Sequence, residues 1–281
     1  RQSIDEADIL AVVQALRSDW LTTGPLVHQF EKAMQDFIGA PTVVVSSGTA
    51  ALHCAFAAIE LKENDEVITP PLTFIATQAT AAIFGARIVF ADIQMSTGNI
   101  APELVLKAIT PRTKAIVAVD YAGHPADLDE LRRIADTNGI YLIEDAAHSF
   151  GSKYRGQYVG SIADLTAFSF FPTKNITTGE GGAIASQNPQ LLEKVRRFSR
   201  QGLIRDPELF QVPGQGAWHQ EVHEFGLNYR LPDILCALGL AQLTKAESLK
   251  KKRSVIFETY TSLLQSCDAI KLPIQQEHVE V

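Results

Sequence analysis

Between residues 41 and 146 the sequence alternates between short apolar runs and amphipathic helical patterns. The runs are rich in β-branched residues and read TVVV, DEVIT, RIVF, KAIVAV and YLIED. Strands that are apolar on both faces, with a helix between successive strands, form a mostly parallel sheet covered by helices on both sides. The alternation therefore predicts an α/β fold. In the helix LDELRRIADTN, Asp127 is a candidate N-cap and Gly139 a candidate C-cap.

After residue 146 the pattern changes to shorter strands with turns. SKYRGQYVG predicts a hairpin, LTAFSFF and GAIAS predict strands, and QLLEKVRRFSR predicts a helix. The stretch from Asp206 to Gly226 is rich in Pro, Gly and aromatic residues and predicts a long loop, a type of segment that is often functional. A final helical pattern runs from Leu231 to Gln265. We predict a large domain over residues 1–245, with an N-terminal helical segment, and the start of a smaller C-terminal domain at 246–281. We also expect one or both ends of the chain to be missing.

Composition excludes several classes of protein. The chain has 281 residues, 46% of them hydrophobic, so it can bury a large core. Its formal net charge of −7 leaves no excess of cations for a nucleic acid partner. No apolar run reaches the roughly 18 residues of a membrane span. Cys54, Cys236 and Cys267 are far apart and odd in number, which argues against a disulfide framework or a metal site and favours the cytoplasm.

The segment SSGTAAL, residues 46–52, follows an apolar run and opens a helix. Small residues let a ligand approach the backbone, and the N–H groups at a helix N-terminus favour a phosphate. Gly48 and Thr49 are the expected donors. A Ser-Gly-Thr sequence is also an ordinary helix cap, and on its own the segment fits that interpretation better.

Asp145 lies at the end of the apolar strand in IEDAAHSFG, and His148 follows three residues later. Ligands of open α/β sheets bind beyond the carboxyl ends of the strands, so this carboxylate is placed to meet one. In isolation it is equally a cap for the next turn, and His148 is equally a partly buried histidine with a structural role.

Lys174 lies in SFFPTKNITTGEGG, after a strand and before three glycines. Most lysines are solvated surface charges. An aromatic pair and Pro172 precede this one, so the segment predicts a tight loop. A lysine held in an apolar pocket has a lowered pKa and attacks carbonyl groups. Together, a phosphate cradle, a strand-end carboxylate and such a lysine match the requirements of pyridoxal phosphate.

These segments resemble the DegT/DnrJ/EryC1/StrS sugar aminotransferases, which are fold type I pyridoxal-phosphate enzymes. The resemblance rests on a set of motifs in a specific order: LTTGP, SSGTAAL, DEVITPPLTFIAT, PRTKAIVAVDYAG, IEDAAHSFG, SFFPTKNITTGEGG and GLNYRLPDILCALGLAQL. It covers nearly the whole chain and implies a transaminase with a mostly parallel sheet and a smaller C-terminal domain.

The resemblance also assigns roles. It implies that Lys174 forms a Schiff base with pyridoxal 5'-phosphate, that Asp145 pairs with the pyridinium nitrogen and that His148 flanks the ring. It places Phe74 on the opposite side of the ring and Gly48, Thr49 and Ser169 at the phosphate. It also implies that Asn228 reaches into the site of a neighbouring subunit, where Arg230 is a further candidate for contacting the substrate. An obligate homodimer follows.

The same likeness suggests substrates. Glutamate is the expected amino donor, and the expected acceptor is a UDP-linked 4-keto-6-deoxy-N-acetylhexosamine, aminated at C4 for surface glycan synthesis. DWLTTGP and AGHPADLD also resemble UDP-4-keto-pentose aminotransferases, and dTDP-linked 3- or 4-keto-sugars stay open. Many relatives have His where this chain has Phe171, so that histidine's role does not carry over. Two alternatives are less favoured. A sugar dehydratase of the same fold would carry histidine at position 174, and a non-catalytic regulator would not need Lys174, Asp145 and His148.

Overall fold

Our computed structural model describes residues 2–281. The α-helices, in chain order, are α1 Glu6–Arg17, α2 Pro25–Ile38, α3 Gly48–Ala58, α4 Ala76–Ala82, α5 Pro102–Ala108, α6 Leu128–Asn138, α7 Pro189–Phe198, α8 Asp233–Leu243 and α9 Ala246–Leu264. The strands are β1 Thr42–Val45, β2 Glu66–Thr69, β3 Arg87–Phe90, β4 Thr113–Val119, β5 Tyr141–Asp145, β6 Lys153–Tyr154, β7 Gln157–Tyr158, β8 Leu165–Ser169, β9 Gly182–Ala185, β10 Leu203–Ile204, β11 Glu221–Val222 and β12 Val279–Glu280.

A seven-stranded sheet in the order β1-β9-β8-β5-β4-β2-β3 forms the centre of the molecule. Neighbouring strands are parallel except around β9, which runs antiparallel to both β1 and β8. The mostly parallel α/β sheet predicted from the sequence is confirmed. Because β1, β5 and β8 run in the same direction, the residues that follow them lie along one edge of the sheet.

Apolar side chains bury both faces of this sheet. Along β1, Val43 and Val45 join one hydrophobic cluster with residues of α3 and α7, whereas Val44 joins another with residues of α2. On β5, Ile143 faces the first of these clusters and Leu142 faces a third, which includes residues of α6. Successive side chains of a strand point to opposite faces, so strands that are apolar throughout require helices on both sides.

Most of the predicted local signals are confirmed. The hairpin is β6 and β7, and the helix LDELRRIADTN ends at Gly139, whose φ of 64° is left-handed. The long loop holds a 3-10 turn and the short strand β11, which pairs with β10 just before the loop. The final helical pattern divides into α8 and α9 at Thr244 and Lys245. This break lies at the domain boundary expected at residue 245, which stays a prediction.

The predicted N-cap of α6 is confirmed in its position but not in its hydrogen bonding. Asp127 occupies the N-cap position, but its side chain makes no capping hydrogen bond. Instead, its Oδ1 accepts a hydrogen bond of 2.9 Å from the hydroxyl of Tyr154 on β6. A buried phenol needs a partner, and this tertiary bond uses the acceptor that a local cap would have used.

Within residues 2–281, no helix combines the length and apolar character that crossing a membrane requires.

Candidate functional site

Segments that are distant in the sequence meet at the carboxyl edge of the sheet. The loop after β1 leads into α3 at Gly48, β5 ends at Asp145, and β8 ends at Ser169. The loop that follows β8 carries Lys174. Parallel order brings these ends together, as expected for a ligand site in an α/β sheet.

The N-terminus of α3 lies directly against Ser169. A Cβ atom added to Gly48 would lie 2.8 Å from Cβ and 3.0 Å from Oγ of Ser169, so only glycine fits at this position without a shift. Ser47 caps the helix, because its Oγ accepts a hydrogen bond of 3.0 Å from the N–H of Ala50. Among residues 2–281 no acceptor pairs with the N–H groups of Gly48 or Thr49. The cap and the open donors therefore coexist, and the segment can hold a phosphate.

Asp145 is almost fully buried, with 6% of its surface exposed. Its Oδ2 accepts a hydrogen bond of 2.7 Å from Thr77 on α4, and its Oδ1 accepts a longer one, 3.3 Å, from the N–H of Ala147. Burial raises the pKa of Asp145, while these two bonds and the charges of His148 and Lys174 act to lower it. The carboxylate is thus kept away from water by a structure that also supplies hydrogen bonds to its ionised form.

Lys174 is partly buried in the loop after β8. Its N–H donates to the carbonyl oxygen of Phe171 at 2.8 Å, and Arg253 on α9 donates to its carbonyl oxygen at 3.2 Å. Burial lowers the pKa of the Lys174 amine, and the charge of Asp145 partly opposes this effect. A lowered pKa increases the fraction of neutral amine, which is the form that attacks carbonyl groups.

His148 is more exposed than Asp145, and the charges of the two side chains act on each other. Burial and the charge of Lys174 lower the pKa of His148, whereas the charge of Asp145 raises it. Each of Lys174, Asp145 and His148 is affected by the charge of one or both of the others. The structure therefore brings these three predicted residues together.

Within residues 2–281, Phe74, Asn228 and Arg230 make no hydrogen bond to Lys174, Asp145 or His148. Phe74 is 74% exposed, and Phe171, at the position where many relatives have His, is 45% exposed. Arg230 bridges to Val45 at the end of β1, and Asn228 bridges to Arg200. The Asn228 side chain is exposed and has no hydrogen-bond partner within the part of the chain that the structure describes. In a single subunit, therefore, neither Asn228 nor Phe74 touches the predicted cofactor residues through a hydrogen bond.

Thr77 and Arg253 contribute to the site, but the sequence patterns did not predict either of them. Thr77 lies in the quoted DEVITPPLTFIAT segment, where a buried threonine among apolar residues is the only local signal for a polar contact. Arg253 belongs to a charged stretch, KKKR, that reads as a solvated helix face. No local pattern indicates that its guanidinium reaches the carbonyl oxygens of Lys174 and Asn175.

Two further carboxyl groups are buried near Asp145. Burial raises the pKa of Asp120 to about 7, although Ser149 and the N–H of Ala126 donate hydrogen bonds to it. Burial, followed by the charge of Asp120, also raises the pKa of Glu144. Such groups are costly to ionise, so they make the stability of the fold depend on pH.

The donor set fits a phosphorylated carbonyl compound. The start of α3 offers N–H groups, Lys174 offers an amine of lowered pKa, and Asp145 offers a buried carboxylate for a protonated nitrogen. The close packing of Gly48 on Ser169 leaves backbone, rather than a side chain, to line the phosphate position. These are the parts that pyridoxal phosphate requires.

Comparison with known proteins agrees with this chemistry. The model of the DegT/DnrJ/EryC1/StrS aminotransferase family matches residues 2–281. The chain is 41% identical to the UDP-4-amino-4,6-dideoxy-N-acetyl-beta-L-altrosamine transaminase of Campylobacter jejuni over 263 residues, which cover 92% of this chain and 67% of that protein.

Two solved structures share the fold. PseC of Helicobacter pylori, an aminotransferase involved in the biosynthesis of pseudoaminic acid, is 34% identical with a TM-score of 0.88, and the match covers 95% of this chain and 70% of that one. The Spr1654 protein of Streptococcus pneumoniae in its PLP-form is 32% identical with a TM-score of 0.88, over 99% of this chain and 74% of that one.

Proposed function

Because this chain belongs to the DegT/DnrJ/EryC1/StrS aminotransferase family, we propose that it transfers an amino group from glutamate to C4 of a UDP-linked 4-keto-6-deoxy-N-acetylhexosamine. Its cofactor is pyridoxal 5'-phosphate, and its class is that of the sugar aminotransferases. The observation that carries the proposal is that Lys174, Asp145 and His148 act on one another electrostatically at the edge of the sheet where β8 meets the start of α3. The likeness to a transaminase named for a UDP-linked amino sugar supports the substrate.

We assign the cofactor to the donor set at the carboxyl edge of the sheet. Gly48 and Thr49 hold the phosphate through their N–H groups, and Ser169 through its hydroxyl. Asp145 would pair with the pyridine nitrogen, His148 and Phe74 would flank the ring, and Lys174 would be the point of covalent attachment. When bound, pyridoxal phosphate supplies a carbonyl carbon for the amine and a ring that withdraws electrons from the reacting carbon.

The protein's own residues then control where protons go. Asp145, buried and bonded to Thr77, keeps a proton on the heterocyclic nitrogen by its negative charge. Once the amine of the donor has displaced it, the Nζ of Lys174, whose pKa burial lowers, would accept a proton from the donor's α-carbon. In the second half of the reaction it would deliver a proton to the carbon of the acceptor that gains the amino group. The amino group would be carried on bound pyridoxal phosphate between two half-reactions: glutamate would leave as a keto acid, and the keto-sugar would then take up the amino group.

We further propose that two copies of the chain form the working enzyme. Asn228 is exposed and points to no partner in its own subunit within residues 2–281. Its neighbour Tyr229 is anchored, since its carbonyl oxygen accepts from the N–H of Ser46 at 2.8 Å and its hydroxyl lies 2.9 Å from Nδ1 of His53. A rigid segment that presents an unpaired amide suits a contact with the site of the other subunit, where Arg230 is a candidate for the substrate.

Replacing Lys174 with Ala should abolish transamination while leaving the fold intact, because no other amine takes its place in the group with Asp145. The measurement is formation of amino-sugar by mass spectrometry, with circular dichroism as the test of folding. Lys107→Ala, which alters an exposed lysine at the end of α5, is the matched control and should retain activity. A folded Lys174→Ala protein with undiminished turnover would disprove the assignment.

A panel of acceptors tests the substrate. With glutamate as donor, we expect the UDP-linked 4-keto-6-deoxy-N-acetylhexosamine to be aminated faster than UDP-4-keto-pentose and dTDP-linked 3- or 4-keto-sugars. The pentose is the second candidate, favoured by DWLTTGP and AGHPADLD. Glutamate should also bleach the yellow absorbance of the loaded protein. Absence of that change with every donor would indicate a non-catalytic regulator instead.

A further inference from the structure

A cavity with a volume of about 220 Å³ lies between α2, α7 and the segment after Tyr229. Its lining includes neither Lys174 nor any residue of the proposed phosphate cradle. Three guanidinium groups and one carboxylate line it, those of Arg196, Arg200, Arg230 and Glu31. Positive charge therefore exceeds negative charge by two in a space large enough for a small anion.

The carboxylate is already paired. Glu31, whose side chain is 6% exposed, forms an ion pair of 3.0 Å with Arg196. Its Oε1 also accepts a hydrogen bond of 3.3 Å from the N–H of Val44. The Glu31 carboxylate therefore has little remaining capacity to accept hydrogen bonds from the other arginines of the cavity.

The other two guanidinium groups have no anionic partner among residues 2–281. Arg230 donates a hydrogen bond of 3.1 Å to the amide oxygen of Gln201, a neutral group. The Arg200 guanidinium makes no hydrogen bond or ion pair to residues of that range. Burial lowers the pKa of Arg200, and the positive charge of Arg196 lowers it further. The charge of Glu31 opposes this effect only in part. The lining therefore keeps an excess of positive charge, a costly arrangement unless an anion is bound.

We propose that this cavity binds a phosphate-type oxyanion, with Arg200 and Arg230 as its principal ligands. Guanidinium groups present several N–H donors in a plane, a geometry that matches phosphate oxygens and permits bidentate contacts. Thr23 and His28 also line the cavity and can add hydrogen-bond donors from a hydroxyl and an imidazole. The oxyanion is either free phosphate or the diphosphate of a nucleotide, since both present the same oxygens.

Calorimetric titration of the cofactor-loaded protein tests this proposal, because the bound cofactor occupies the separate cradle at the start of α3. We expect inorganic phosphate to bind at constant ionic strength, and Arg200→Met to weaken the binding by about tenfold or more, the loss typical of a charged hydrogen bond. Arg197→Met is the matched control. Arg197 follows Arg196 on α7 but pairs with Glu193 and Glu224 outside the cavity.

A gain-of-function variant separates a lost ligand from a damaged fold. Glu31→Gln removes the one negative charge of the cavity but keeps an acceptor for Arg196, so phosphate should bind more tightly than to the wild type. Titration with UDP distinguishes the sources: tighter binding than phosphate, lost in Arg200→Met, indicates a nucleotide diphosphate, and equal binding indicates free phosphate.

Three outcomes would overturn the proposal. These are absence of phosphate binding by the wild type, equal binding by Arg200→Met, and weaker binding by Glu31→Gln. If the wild type binds no phosphate and Arg200→Met dissociates a dimer in sedimentation analysis, a carboxylate of a second copy fills the cavity instead. None of these measurements requires turnover, so their failure is distinguishable from failure of the proposed transamination.

Discussion

Asp145 illustrates how single residues set the chemistry of the site. Desolvation alone would favour its neutral form, yet hydrogen bonds from the hydroxyl of Thr77 and the N–H of Ala147 favour the carboxylate, as does positive charge on His148 or Lys174. Thr77 is itself held by Thr73, whose Oγ1 lies 2.8 Å from its own. A chain of hydroxyl groups therefore supports the charge that the proposed cofactor needs.

Removal of the Thr77 hydroxyl should raise the pKa of Asp145, because a bond to the ionised form is lost. Activity requires the carboxylate and falls as pH drops through its pKa, so the acid limb of the kcat/KM profile should move to higher pH in Thr77→Val. Thr77→Ser keeps the hydroxyl and serves as the control. An acid limb at the same pH in both variants would show that Thr77 does not tune Asp145.

At the scale of elements, α9 is joined to the loop that carries Lys174. Arg253 donates from Nη2 to the carbonyl oxygens of Lys174 and Asn175, at 3.2 and 3.3 Å, and from Nη1 to that of Asn175 at 3.2 Å. Asn175 in turn donates 2.6 Å to the carbonyl oxygen of Phe150. The main chain around the amine is thus held by a helix that lies 79 residues further along the chain.

Loss of these bonds should loosen the Lys174 loop. In Arg253→Met we expect faster hydrogen exchange at the amides of Lys174 and Thr178, together with a fall of about tenfold in kcat from misplacement of the amine. KM should change less, since substrate contacts are retained. Lys252→Met, the neighbouring substitution on α9, is the control, and unchanged exchange in Arg253→Met would contradict a positioning role.

The molecule as a whole contains carboxyl groups that resist ionisation. Asp120 has a pKa of about 7 in the fold, whereas the ordinary value of an aspartate is 3.8. Between these values the folded state holds a proton that the unfolded state releases, so this contribution to stability is complete below about pH 4 and is lost as pH rises to 7.

Asp120→Asn should remove this part of the pH dependence. The wild type is expected to lose more free energy of unfolding between pH 5 and pH 7.5 than the variant does, because an amide does not ionise. Urea unfolding at the two pH values, followed by circular dichroism, measures the difference. Equal losses in the two proteins would show that Asp120 does not titrate in this range.

The sequence alone determined the fold class and much of the site. Apolar runs such as TVVV can bury the side chains of both strand faces only between two layers of helices, so the α/β sheet follows from the local pattern. Asp145 and the start of α3 could be singled out because they occupy a strand end and a helix N-terminus, and Lys174 because it lies in a tight loop that follows a strand. The roles of Asn228 and Arg230 came from family likeness and stay predictions.

Only the tertiary structure decided which side chains meet. Thr77 bonds to Asp145 across 68 residues, Arg253 reaches Lys174 across 79, and Tyr154 takes the carboxylate that local pattern assigned to a helix cap. Each contact depends on strand register and on how a helix lies against the sheet. These are settled by packing over the whole core, because no local run of residues contains both partners.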